Sequence, residues 1–195
     1  MSDFYEKELS AKLVEKALGI ERYLKIMEMV KNPSVNLADD EDFKKTFNYF
    51  YRVRRNETWR IKYYDYFEEH KNESAITFEN ILRYLNKIDE KTEISFASKM
   101  LASINNEMPI WDQFVVKYFN IKMNTLEGDN HLEQAVRKYN KLCDIYNSLI
   151  KSSIAKKYET IFDNITSSKY HSISLVKKID FLIWATEGQL PRHSK

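Results

Sequence analysis

The chain has 195 residues, enough for one domain or two small lobes sharing a core. Its 31 basic and 29 acidic residues leave a net charge of +2, which excludes a surface basic all over, so any polyanion contact must come from local clustering. Three Gly and three Pro among 195 residues point to a mostly helical protein and leave no room for a P-loop, a dinucleotide fingerprint or a Gly-x-Ser-x-Gly elbow.

In chain order, residues 9–18 read as helix, with Gly19 as an interruption. Ile20, Tyr23, Leu24, Met27 and Val30 then recur at helical spacing until Asn32-Pro33 stops them. The acidic run Asp39-Asp40-Glu41-Asp42 suits a helix N-terminus, and Phe43, Phe47, Phe50 and Val53 stripe the helix that follows. Asn56 is a break and cap before a helix from Trp59 to Glu69. Thr77 caps a helix bearing Phe78, Ile81, Leu82 and Leu85. A polar connection over 88–94 leads to Ser95, a cap for a helix with Phe96, Met100, Leu101 and Ile104 on its apolar face. After Pro109 the chain is briefly extended, then helical from about Asp112 to Ile121. Gly128-Asp129-Asn130 is the clearest turn. Helices follow at about 131–151, 153–163 and 174–185, and the tail from Gly188 is expected to fray. No strand alternation is sustained. The expected fold is all-α: a single compact multi-helix domain over 1–195, with a possible lobe boundary near 128 or a C-terminal part packed back on the first half.

Cys143 is the sole cysteine, which rules out an internal disulfide and suits a reducing compartment. No apolar run approaches the roughly 20 residues of a membrane span. The opening Met1-Ser-Asp-Phe-Tyr-Glu lacks the form of a signal peptide, so the expectation is a cytoplasmic protein with no membrane partner. The four His are scattered and no metal-ligand spacing occurs, so no metal and no cofactor is expected. Cys143, between Leu142 and Ile145, reads as a packed thiol, and His131 as part of a helix start. Neither oligomeric state nor pathway is legible.

Two stretches carry possible chemistry. From Arg52 to Lys62, five basic residues (Arg52, Arg54, Arg55, Arg60, Lys62) are opposed only by Glu57. Arginines interleaved with aromatics can contact phosphates and stack on bases, or the rings can be core with arginine stems lying over them. The second stretch is Ser95 to Val116, an almost uncharged helix ending in Asn-Asn, then Met-Pro-Ile-Trp and a lone acid, Asp112.

The order of helix, short polar connection, helix, and Pro109-Ile110-Trp111-Asp112-Gln113-Phe114-Val115 resembles the helix-hairpin-helix DNA glycosylases of base-excision repair, in particular their oxoguanine-glycosylase-like bacterial relatives. The resemblance covers roughly residues 76–120. It implies a helix-hairpin-helix glycosylase-like fold, DNA as partner, hydrolysis of the N-glycosidic bond of a damaged base, and Asp112 as the catalytic carboxylate. Under it, Trp111 and Lys99 would meet substrate, and Arg54, Arg55, Arg60, Lys91 and Thr92 would meet nucleic acid. The family's hairpin is usually rich in glycine. Here Lys87 to Ile94 has none and carries three acids, Asp89, Glu90 and Glu93. The family's lysine nucleophile would fall near Ile94–Phe96, where no lysine stands, so a monofunctional enzyme is implied. Asp is also a preferred N-cap, and a cap for a helix from Gln113 is the plain alternative for Asp112. The alternative function is a non-catalytic nucleic-acid- or protein-binding module on the same fold.

Overall fold

The computed structural model describes residues 9–14, 17–122 and 130–190. Among them no strand occurs. A helical segment over 9–14 precedes α1 (Ala17–Lys31), α2 (Glu41–Tyr51), α3 (Glu57–His70), α4 (Phe78–Asp89) and α5 (Ile94–Ile104). Then come α6 (Gln113–Tyr118), α7 (His131–Ile150), α8 (Ser153–Ile165) and α9 (Leu175–Ala185).

Local signals set most of the boundaries. Asp40, Asn56, Thr77 and Asp112 each cap a helix, their side chains accepting from backbone N–H groups of the first turn. Thr77 and Asn80 form a reciprocal capping box. Three expectations are corrected. Gly19 does not interrupt a helix, because α1 runs through it with Ile20, Tyr23, Ile26 and Met27 buried on one face. Packing of that face outweighs the roughly 1 kcal/mol that a helical glycine costs. Ser95 is not a cap: α5 begins at Ile94 after Glu93, with no side-chain capping bond. The chain from Gly188 to Leu190 is packed rather than frayed. Gly188 adopts φ +76°, its N–H donates to Ile183 O at 2.8 Å, and Leu190 is buried. The Gly128-Asp129 part of the expected turn lies outside the described residues.

The helices form a compact all-helical domain around α9. α9 packs against α6, α7 and α8, and α4 packs against both α5 and α7. Contacts also cross between the chain's two halves: Phe78 stacks on Tyr139 with ring centroids 3.9 Å apart, and Tyr139 donates its hydroxyl to Pro109 O at 2.9 Å. Nine of the eleven α9 residues are buried, including Lys177, Lys178 and Asp180. A helix covered on nearly every side belongs in the middle of a bundle. No helix among the described residues is long and apolar enough to cross a membrane.

Candidate functional site

Four elements meet around the extended run that follows α5. Asn105 ends that helix in an extended conformation, and residues 108–112 continue without regular structure. The run is held from three sides. Trp111 N–H donates to Ser98 Oγ at 2.9 Å, Ser174 Oγ donates to Asn106 O at 2.7 Å, and Pro109 O accepts from Tyr139. Ile110 and Trp111 are buried. Asp112 is thereby delivered to the start of α6 with little freedom. From the far side, Lys117 Nζ reaches Glu187 O at 3.2 Å, and the Gly188 turn lies close against Phe114 O.

Asp112 is half-buried. Its Oδ1 accepts from both Phe114 N–H and Val115 N–H, each at 2.8 Å, while Oδ2 takes no hydrogen bond from the described residues. Burial pushes its carboxyl above the ordinary carboxylate value. The Asp180 charge adds to that rise, and the two backbone bonds and Lys99 oppose it. Lys99 lies one turn into α5, its Nζ donating to Tyr51 O at 3.0 Å and 5.1 Å from the Phe96 ring centroid. Burial lowers it to about 8, against the pull of Asp112. The acid and the amine are thus close enough for each to act on the other. Behind them, fully buried Asp180 pairs with Lys177 Nζ at 2.8 Å and accepts from the Tyr146 hydroxyl.

A second feature lies on the Lys99 side. An open cleft of about 240 Å³ runs between the α2–α3 turn and the α4–α5 connection. Arg54, Arg55, Lys62 and Lys91 line it, with Asp89 as the carboxylate among the lining residues. Glu93 links the two features. It pairs with Arg55 at 2.9 Å, and its charge acts on Lys99.

The structure therefore brings Arg54, Arg55 and Lys91 together. Arg60 lies outside that cleft, and its charge acts on Tyr64 instead. Thr92 also lies outside it, its carbonyl accepting from Ile94 N–H at 3.1 Å within the turn. Trp111 is 4% exposed, so its ring serves the core and presents no wall to solvent. Most rings in and around the arginine-rich stretch are also core: Phe47, Tyr51, Trp59, Tyr63 and Tyr64 are all buried, while Tyr49 is exposed with Arg22 over its ring. Cys143 is half-buried with its thiol pushed up to about 11 by burial, which suits packing. No group of His, Cys, Asp and Glu that could hold a metal ion occurs among the described residues.

Sequence reasoning missed two participants. Lys62 was visible as a basic residue but not as a cleft residue, although it stands four positions after Thr58 and so shares its helix face. Asp180 carried a signal too: Lys177 and Asp180 are three apart inside a helix that is apolar apart from them and Lys178, the spacing of an ion pair.

Comparison of the chain with protein-family models, curated proteins and solved structures finds no match. A carboxylate with one oxygen engaged and one free can stabilise a cation or take a proton from water. A lysine near 8 is still mostly protonated at neutral pH and can face an anion.

Proposed function

We propose that the chain acts on DNA as a base-excision glycosylase-type protein, hydrolysing the N-glycosidic bond of a damaged or modified base. The observation that carries this reading is the divided Asp112 carboxylate. A cap needs one oxygen, and Oδ1 supplies it; Oδ2 is left without a donor from the described residues, and the charge of Lys99, an amine whose pKa burial lowers, acts on the carboxylate. Perturbed, mutually acting titratable groups of this kind are more frequent at functional sites than elsewhere. Cleavage of the glycosidic bond builds positive charge on the sugar. Asp112 would face that charge or accept a proton from the attacking water, and its raised pKa favours the proton exchange. Lys99 would meet a neighbouring phosphate. The target nucleotide would leave the base stack to reach them, at a cost of a few kcal/mol.

One observation favours the second reading, a non-catalytic module binding nucleic acid or protein. The basic cleft does not include Asp112, and the end of α4 and the α4–α5 connection present acids, Asp89 and Glu93, that pair with Arg55.

The two separate on duplexes carrying oxidised, alkylated or deaminated bases. Wild type should release a base and Asp112→Asn should not. The Asn variant should keep the wild-type melting temperature, because its side-chain oxygen still caps α6, whereas Asp112→Ala should lose about 1 kcal/mol. Equal base release by wild type and Asp112→Asn, or none by wild type across the panel, would reject the enzymatic reading.

A further inference from the structure

We infer that the cleft between the α2–α3 turn and the α4–α5 connection is a phosphate-binding site built from side-chain cations and the N-terminus of α3. It stands on its own observations and does not depend on chemistry at Asp112.

The cleft is rich in donors that lack acceptors. Arg54 and Lys62 are exposed and have no ion-pair partner among the described residues. Arg55 is held on both sides of the connection, since Asp89 Oδ2 and Glu93 Oε1 both take its Nη2. A guanidinium has five N–H groups in a rigid fork, so its other nitrogens remain without a carboxylate while its plane is fixed. Its Cζ lies 5.0 Å from the Trp59 ring centroid. Trp59 is 3% exposed, lines the cleft, and has an indole N–H without a partner among the described residues. A buried donor left unmade is costly, and a ligand oxygen or water would satisfy it.

The backbone adds to this. α3 opens at the cleft: Asn56 caps it through Trp59 N–H at 2.9 Å, and Thr58 of its first turn is part of the lining. The first N–H groups of a helix have no intrahelical acceptor, and the helix dipole places partial positive charge there. Anion sites are commonly made this way. Asp89 is the opposing charge on the wall, and it is held by Arg55 and by Lys91 at 3.9 Å.

These features select a ligand with several acceptor oxygens and negative charge. The cations also sit on two sides, Arg54 and Lys62 from the α2–α3 side and Lys91 from the connection. A phosphate group, free or within a nucleic-acid strand, meets them all.

The test is anisotropy of a labelled oligonucleotide over a salt series, with wild type and Arg54→Ala/Lys62→Ala. Lys169→Ala, away from the cleft and paired with Glu21, is the control. The double variant should bind roughly ten-fold more weakly, with a salt slope smaller by about two, since each cation removed leaves one phosphate un-neutralised. The control should bind as wild type does, and binding is read without base release, which keeps this result separate from any failure of catalysis. The Trp59 indole N–H resonance distinguishes the ligand's source. A shift with inorganic phosphate alone shows that the free group suffices, and a shift only with the oligonucleotide shows a strand site. Unchanged affinity and slope in the double variant, displacement by polyglutamate as effective as by DNA, or an indole resonance unmoved by either ligand would overturn the inference.

Discussion

The backbone N–H of Trp111 donates to Ser98 Oγ at 2.9 Å, and that bond ties the extended run to the helix it has just left. Ser98 is fully buried and donates its own hydroxyl proton to Ser95 O at 3.0 Å. One hydroxyl thus satisfies a buried amide next to Asp112 and sets the distance between α5, which carries Lys99, and the start of α6.

Ser98→Ala leaves the Trp111 amide buried without an acceptor. The expected cost is about 1–3 kcal/mol in urea unfolding, and base release or binding that needs Asp112 should fall with it. A loss below about 0.5 kcal/mol would mean that the run is anchored by Ser174 and Tyr139 alone.

Two glycines should respond to alanine with opposite signs. At Gly19 a Cβ would meet only Phe50 Cε2, at 3.9 Å, so Gly19→Ala should stabilise by about 0.5–1 kcal/mol. At Gly188 the positive φ and a Cβ only 2.8 Å from Phe114 O make alanine strained, and Gly188→Ala should destabilise by roughly 1–3 kcal/mol. Thermal melts of both variants check the pair. A neutral Gly188→Ala would show that the C-terminal turn does not brace α6.

The buried ion pair of α9 should be intolerant of losing one partner. Lys177→Met leaves the Asp180 carboxylate buried with only the Tyr146 hydroxyl, at an expected cost of about 3–5 kcal/mol. Lys177→Met/Asp180→Leu removes both charges and should recover most of that loss. Denaturant midpoints for the two proteins decide the matter, and equal instability in both would mean that shape, not charge, dominates there.

Lys99 should leave a signature in the pH dependence of stability. Its folded-state value is about 8 against the ordinary 10.5. Over that window the unfolded chain binds more protons, so this group opposes folding fully below pH 8 and ceases to as pH rises toward 10.5. The stability of wild type relative to Lys99→Met should therefore rise with pH across the window. Carbon-13 NMR of the Lys99 ε-methylene should titrate near 8. A flat difference curve and an ordinary lysine midpoint would show that the amine is well solvated.

Helices, caps and the core stripes were legible because they depend on neighbours a few residues away. Thr77, Asn56 and Asp112 announce helix starts by chemistry confined to one turn, and Phe78, Ile81, Leu82 and Leu85 announce a buried face by spacing alone. Ser95 misled because serine is an equally good residue in a first turn, and packing of Ile94 moved the start back by two residues. Gly19 misled for the same kind of reason: the local cost is small and the buried face is long.

The sequence by itself determined an all-helical chain, its capping residues and a conspicuous acid at the start of a helix, since these follow from local propensity and periodicity. Only the tertiary structure decided which oxygen of Asp112 is engaged, that Lys99 is desolvated and acts on it, that Arg60 and Thr92 lie away from the cleft while Lys62 lies in it, and that Trp111 is core. Each of those depends on burial and on charges brought together from distant segments, such as Asp180 acting on Asp112, and long-range placement of that kind leaves no periodic trace in the chain.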